Sequence, residues 1–206
     1  RSLVRTRVTP PQAELDREER LQNLHSAFEI RAKEGELDGA KITIVDRKEM
    51  HNYQPGYTLV ATGIWPVEKV VDRNADLHPS GIEWVREMVA EFDPDGNAVV
   101  TDSGRRIEYD FLVVATGLHL DYAQIEGMDV DAIGSNGLAS VYPSHLAAQA
   151  TWQAMYAFRA KGGEALMTLP ATPLKCAGAP LKMTFMLVDR LREAGTRSAS
   201  RVEFHS

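Results

Sequence analysis

Glu164-Ala-Leu-Met-Thr-Leu-Pro-Ala-Thr-Pro-Leu-Lys-Cys-Ala-Gly-Ala-Pro-Leu-Lys182 is the stretch that decides the fold. Glu164 to Leu169 reads as a buried strand, and Pro170 and Pro173 break it. Pro180 suits the first turn of a helix that runs on to about residue 194. Gly195 turns the chain into a further strand, Arg201 to Phe204, so the segment reads as one βαβ unit with parallel strands and a crossover helix. The single cysteine, Cys176, falls in the loop between strand and helix. A thiol at a helix amino end feels positive partial charge, and with Lys175 adjacent the thiolate is the favoured form. That form attacks disulfides, sulfur species or an electrophilic cofactor. A free cysteine is equally at home as a small buried hydrophobe, and the local sequence leaves both readings open.

Outward from that unit, the bulk composition narrows the function classes. With 206 residues the chain can bury a substantial core as one large domain or two small ones. Its 29 acidic and 23 basic residues give a net charge of −6, which offers no basic footprint for nucleic acid. One cysteine excludes an intrachain disulfide and a CxxC metal pair, so any disulfide reaches a residue outside this chain. The histidines at 25, 51, 78, 119, 145 and 205 lie far apart and show no metal-ligand spacing, so no metal site is expected. No apolar run approaches the roughly 18 residues that span a bilayer, and this chain alone is expected to be soluble. The basic opening Arg1 to Arg7 turns acidic between Glu14 and Glu19, a poor match to a mitochondrial presequence. A start without methionine and an end just as a strand begins suggest a fragment of something longer.

Leu15, Leu21, Leu24, Phe28 and Ile30 recur among charges at helical spacing, predicting an amphipathic helix over 12–34 that ends near Gly35. Lys41-Ile-Thr-Ile-Val-Asp46 is a β-branched run closed by an acid, the pattern of a parallel strand whose carboxyl end faces a ligand crevice. Met50 to Tyr57 mixes turn formers and aromatics as binding loops do, and Thr58 to Ile64 reads as a short helix closed by Pro66. From Gly81 the text becomes β: strands over 82–86 and 88–92, a turn at Asp93-Pro-Asp-Gly96, then strands over 98–101 and 106–108. This antiparallel meander leads into an apolar strand, Phe111 to Ala115, that ends in Thr116-Gly117, where glycine lets a backbone approach a ligand closely. Residues 118–142 read as connector, and Pro143 to Arg159 as a helix ended by Gly162-Gly163.

A strand ending in an acid, a meander, an Ala-Thr-Gly strand end and a cysteine-bearing βαβ unit are the parts of a two-dinucleotide-binding-domain flavoprotein. More narrowly, Ile44-Val-Asp46, Tyr53-Gln-Pro55, Gly81-Ile-Glu-Trp84, Tyr109 to Gly117 and Thr172 to Lys182 resemble the sulfide:quinone oxidoreductase family, in particular its mitochondrial-like branch. The resemblance runs from about Lys41 to Ser206. It implies an α/β, FAD/NAD(P)-binding Rossmann-like three-layer fold with an antiparallel meander, incomplete here. It leaves an N-terminal charged helix at 1–39 outside the family pattern, and it implies a partial FAD-binding domain with the meander at 40–142 and, at 143–206, the start of a second dinucleotide-binding-like domain that carries the redox cysteine.

On the same resemblance the cofactor is FAD, with Asp46 on the adenosine ribose, Gln54 and the backbone of Val89 beside the adenine, and Thr116 and Gly117 on the loop passing the cofactor. Cys176 matches the family's first redox cysteine, which passes through a persulfide. The implied reactants are sulfide, a ubiquinone-like quinone and a thiol sulfur acceptor. The implied location is a bacterial or mitochondrial inner membrane, reached by peripheral contact through a C-terminal region beyond this chain; the oligomeric state stays open. The family's Gly-x-Gly-x-x-Gly loop before Lys41 is missing, since residues 1–39 hold glycine only at 35 and 39, and full catalysis by these 206 residues alone is not expected. The Cys-Ala-Gly-Ala-Pro turn also lacks that fingerprint, which weakens the alternative of a pyridine-nucleotide-disulfide reductase or type II NADH dehydrogenase. A further alternative is a non-catalytic scaffold that partners an intact paralogue.

Overall fold

A computed structural model describes residues 2–5, 28–31, 39–169, 176 and 178–205. The chain divides into two compact units, Arg1–Ile44 with Gly81–Glu83, and Val45–Ser80 with Trp84–Ser206. In the first unit β1 (Ser2–Arg5) pairs antiparallel with β2 (Phe28–Arg31), Ser2 opposite Arg31 and Arg5 opposite Phe28. The helix expected over 12–34 therefore does not include Phe28–Arg31. Phe28 and Ile30 alternate with Glu29 and Arg31, and a period of two suits a strand as well as the wider spacing suits a helix. The other residues of that expected helix lie outside the described residues. β3 (Ile42–Val45), a strand as the β-branched run predicts, pairs with β6 (Ile82–Val85), and Lys41 forms an ion pair with Glu83 at 2.5 Å. The last residues of these two strands, Val45, Trp84 and Val85, belong to the second unit.

The second unit opens with a pair that the sequence reading missed. β4 (Met50–Asn52) lies antiparallel to β5 (Val71–Arg73), so the Met50–Tyr57 segment starts as strand before it becomes a loop. Tyr53 N–H donates to the Val70 carbonyl at 2.9 Å and extends the pairing by one step. The chain then makes a single 3-10 turn at Gln54–Gly56 and the short helix α1 (Tyr57–Val60). One further turn, α2 (Asn74–Leu77), leads to β6. β7 (Val89–Asp93), β8 (Ala98–Thr101) and β9 (Arg106–Glu108) form the expected meander, Ala98 standing opposite Asp93 on one side and Glu108 on the other. Asp93 closes the β7–β8 turn by accepting the Gly96 N–H at 2.9 Å and pairing with Arg106 at 2.9 Å.

The apolar run Phe111–Ala115 is not a buried strand. It has no regular structure, and every residue from Phe111 to Leu120 is exposed, Val113 at 85%. Strand propensity alone does not make a strand: the backbone donors and acceptors need a neighbouring ladder, and none of the described strands pairs with this run. The following connector carries only single 3-10 turns, at Tyr122–Gln124 and Val130–Ala132.

α3 (His145–Lys161) begins where Ser144 accepts the Ala147 N–H at 3.0 Å, a side-chain cap. Midway along it Thr151, 1% exposed, donates its hydroxyl to the Ser140 carbonyl at 2.9 Å and accepts the Ser140 N–H at 3.1 Å, which clamps the connector to the helix. β10 (Gly163–Thr168), α4 (Gly178–Glu193) and β11 (Ser200–His205) then form the predicted βαβ unit, with β10 and β11 parallel from Gly163 opposite Ser200 to Thr168 opposite His205. β10 is not buried on both faces as the sequence suggested. Ala165 and Met167 pack against the core while Glu164, Leu166 and Thr168 are exposed, which leaves one face of this two-stranded sheet open.

Met183, Leu187 and Leu191 recur every four residues along α4 and bury one stripe of it. They join Ala148 and Met155 of α3 and Tyr57, Val60, Ala61 and Val70 around α1 in one core. The boundary expected at residues 142 and 143 thus falls inside this unit. Arg190 adds a polar tie, donating Nε–H to the Thr62 carbonyl at 2.9 Å.

Two outcomes follow for stability. Leu191→Ala removes a side chain with no exposure and is expected to cost about 2–5 kcal/mol, whereas Leu166→Ala, at 62% exposure, costs under about 0.5 kcal/mol; urea midpoints compare them. The Gly96 N–H and the Arg106 guanidinium hold the Asp93 carboxyl below its ordinary value. A depressed carboxylate contributes stability above its unfolded pKa of about 3.9 and loses that contribution as pH falls through the lower folded value. Asp93→Asn is therefore expected to lower Tm at neutral pH and to leave it unchanged in strong acid.

Candidate functional site

Asp46 stands at the carboxyl end of β3, held by main-chain and ring contacts rather than by its carboxylate. Its N–H donates to the Val85 carbonyl at 3.1 Å, and its own carbonyl accepts the indole Nε1–H of Trp84 at 2.7 Å. The carboxylate accepts the Lys48 N–H through Oδ1 at 2.9 Å and leaves Oδ2 unengaged among the described residues. The loop beyond is fixed by Asn74, whose side-chain amide donates to the Lys48 carbonyl at 2.7 Å, and by the ion pair of Arg86 with Glu49. Trp84 is steadied in turn by His78, edge to face at 4.8 Å, and by the Arg86 guanidinium over its ring at 4.9 Å.

Val89 opens β7, three residues beyond Arg86. The pairing of β7 with β8 steps from Val89 opposite Thr101 to Glu91 opposite Val100, and this bulge leaves Ala90 without an opposite residue. The turn before it is tied by Met88 N–H to Asp102 Oδ1 at 3.2 Å and by Asp102 N–H to the Met88 carbonyl at 2.9 Å. Gln54 is exposed at the start of the 3-10 turn that feeds α1. Thr116 and Gly117 lie in the exposed run after the meander. Gly117 has φ +78°, a conformation that glycine adopts freely, and a Cβ there would meet nothing within 4 Å.

These positions meet a dinucleotide unequally. A carboxylate with one free oxygen at a strand's carboxyl end suits the two vicinal hydroxyls of a ribose, and the bulged backbone at Val89–Glu91 offers main-chain groups of the kind that serve a base. The pyrophosphate has no counterpart: no Gly-x-Gly-x-x-Gly turn occurs among the described residues.

Cys176 is exposed, immediately ahead of α4, and its carbonyl accepts the Ala179 N–H at 3.4 Å. Its neighbours Lys175 and the two prolines of the loop lie outside the described residues. Pro180 occupies the first turn of α4 as predicted. The sequence reading missed Tyr142. Burial raises its phenol pKa first, and the charge of the Cys176 thiolate raises it further. Tyr142 rests on Tyr57 of the core, with ring centres 6.3 Å apart. Its place between a connector and a helix gave no sequence signal, and neither did the role of Trp84 in holding Asp46. No group of three or more His, Cys, Asp or Glu is placed to hold a metal among the described residues. A cavity of about 870 Å³ runs along α4 from Gly178 past Phe185 to Val202, and one of about 350 Å³ lies beside α1; none of the positions just described lines either.

Residues 24–156 match the model of the pyridine nucleotide-disulphide oxidoreductase family. A mitochondrial sulfide:quinone oxidoreductase of Mus musculus is 38% identical over 169 residues, which are 80% of this chain and 36% of that protein. The one from Schizosaccharomyces pombe is 35% identical over 178 residues, 84% of this chain and 38% of that protein. Among solved structures, the sulfide:quinone oxidoreductase of the hyperthermophilic bacterium Aquifex aeolicus matches with a TM-score of 0.62 at 27% identity, covering 80% of this chain and 36% of that one. The chain thus spans little more than a third of the length of the relatives it matches.

Cys176→Ser is expected to lower the Tyr142 pKa, because it removes the thiolate charge that disfavours a second anion, while the effect of burial stays. Tyrosinate absorbance titrations of the two proteins, with Tyr142→Phe identifying the group, check this.

Proposed function

The chain belongs to the pyridine nucleotide-disulphide oxidoreductase family, with its FAD/NAD(P)-binding Rossmann-like fold, and from that premise we propose that the protein built on it is a FAD-dependent sulfide:quinone oxidoreductase. It oxidises sulfide to a cysteine persulfide and passes the electrons to a ubiquinone-like quinone in respiratory electron transfer. One observation carries the reading: an exposed cysteine at the amino end of the crossover helix of a parallel βαβ unit, in a chain 38% identical to a mitochondrial sulfide:quinone oxidoreductase.

In this reading sulfide attacks a disulfide between Cys176 and a second cysteine, which this chain, with one cysteine, does not itself contain. The S–S bond breaks, a new S–S bond joins the sulfide sulfur to one cysteine, and the other departs as a thiolate carrying the two electrons. The outer persulfide sulfur then passes to an acceptor thiol. FAD supplies the two-electron acceptor between that thiolate and the quinone, with Asp46 at its ribose, Gln54 and the Val89 backbone at its adenine, and Thr116 and Gly117 along its length. The chain's own contributions are access and charge. Cys176 lies open to an incoming anion, and Tyr142 beside it stays a neutral phenol, which adds no second negative charge next to the leaving sulfur.

We assign the whole protein to a bacterial or mitochondrial inner membrane, reached by peripheral contact from outside these residues. Among the described residues no helix is long and apolar enough to cross a membrane. A nicotinamide-dependent reductase fits less well, because the sequence between β10 and α4 lacks the Gly-x-Gly-x-x-Gly fingerprint that lets a pyrophosphate approach a helix.

In the full-length protein, Cys176→Ser is expected to lower sulfide-dependent quinone reduction about a thousandfold or more while leaving flavin absorbance unchanged. Unchanged turnover would remove the thiol from the chemistry. Asp46→Ala is expected instead to lower the flavin retained after gel filtration, and equal retention would take that carboxylate off the ribose.

A further inference from the structure

Among the described residues β11 pairs with β10 alone, so one of its edges carries no partner strand. The Leu169 N–H donates to the His205 carbonyl at 3.0 Å, which turns the main-chain groups of His205 toward β10. By the period of two, Arg201 and Glu203 turn theirs the same way, and Ser200, Val202 and Phe204 turn theirs outward. With no proline along it, this outward row of N–H and C=O groups is a template for another strand.

The groove of about 870 Å³ along α4 adjoins the same strand, since Val202 lines it together with the outer face of the helix. Leu181, Phe185 and Val188 give that face an apolar seam at i, i+4 and i+7, away from the buried stripe of Met183, Leu187 and Leu191. Leu181 is 43% exposed and Phe185 68%. The dimensions of the two layers agree. α4 packs on both strands of its sheet, so two added strands at about 4.8 Å each set a second helix about 10 Å from the first, the separation at which helices pack.

We propose that this edge and groove join a second copy of the chain, across a two-fold axis at Val202. The axis makes the two β11 strands antiparallel. Each Val202 donates its N–H to the carbonyl of the other, and Phe204 N–H reaches the Ser200 carbonyl of the other copy, which has a second lone pair beside the one that accepts Arg197 at 2.8 Å. Charge selects this register. On the open face Glu203 already pairs with Arg201 and His205 of its own strand. The axis at Val202 sets Arg201 of each copy directly opposite Glu203 of the other, at the closely spaced non-hydrogen-bonded positions. An axis at Arg201 or at Glu203 would set like charges face to face. The helices agree as well: two antiparallel α4 segments meeting at Phe185 bring Lys182 of each copy to Asp189 of the other. Nothing in this pairing depends on the sulfur chemistry proposed above.

The test begins with Cys176→Ser, which removes the exposed thiol as a source of cross-links. Sedimentation equilibrium of that 206-residue chain at rising concentration is expected to show a monomer–dimer equilibrium. Val202→Pro deletes an N–H that faces only the free edge, and is expected to weaken the dimer about tenfold or more. Cysteine pairs then read the register. Chains with Arg201→Cys mixed with chains with Glu203→Cys are expected to form a disulfide at least about fivefold faster than either set alone, because only the mixed pair stands directly opposite. A chain that stays monomeric, a dimer untouched by Val202→Pro, or Arg201→Cys chains that link to one another as fast as to Glu203→Cys chains would each overturn the proposal. Should Val202→Pro fail to fold, the cysteine pairs decide. The same mixture is made with the full-length protein. Linkage there supports the second copy, and its absence gives the edge to a further strand of the longer chain and overturns the proposal too.

Discussion

One buried stripe holds the second unit together. Met183, Leu187 and Leu191 face the same side of α4 and close on Ala148 and Met155 of α3 and on the residues around α1. The crossover helix of a βαβ unit must lie on its sheet, and here it also lies against the segment that follows β4, so a single apolar seam joins stretches more than a hundred residues apart. The Arg190 bond to the Thr62 carbonyl fixes the rotation of α4 about its axis. The amino end of that helix, where Cys176 sits, is placed by packing at its middle and far end. What positions the sulfur is therefore hydrophobic and remote, while its surroundings stay open to solvent.

Much of this was legible because periodicity and turn chemistry agreed. Asp93-Pro-Asp-Gly96 and Asp102-Ser-Gly104 punctuate β-rich text, and the meander follows them closely. The proline pair, Pro180 and Gly195 likewise bracket α4. Elsewhere the local pattern was ambiguous or was overridden. Phe28–Arg31 satisfies both a helical and an alternating template over so short a span. Phe111–Ala115 has the composition of a strand, but composition does not supply the neighbour that a ladder requires. β4 is three residues long and gains its partner, β5, from a stretch some twenty residues on, which no local window sees.

The candidate site divides the same way. The place of Asp46 at the end of β3 was legible because an acid closing a β-branched run is a recognisable signature. Its support was not: the Trp84 indole and the Asn74 amide act through main-chain carbonyls, which every residue has and no sequence pattern marks. Tyr142 belongs to the same class, since its proximity to Cys176 arises from tertiary folding alone.

The exposed run Phe111–Leu120 carries a cost of its own. Ten successive residues contain no Asp, Glu, Lys or Arg, and most are apolar. Such a segment is a template for cross-β stacking between molecules, and its lack of proline removes the simplest brake. Asp110 and Asp121 stand at its two ends, and in any in-register stack of copies these carboxylates would be brought into rows of like charge. Two aspartates that touch none of the chemistry assigned above are thus the charges that such a stack would have to crowd together.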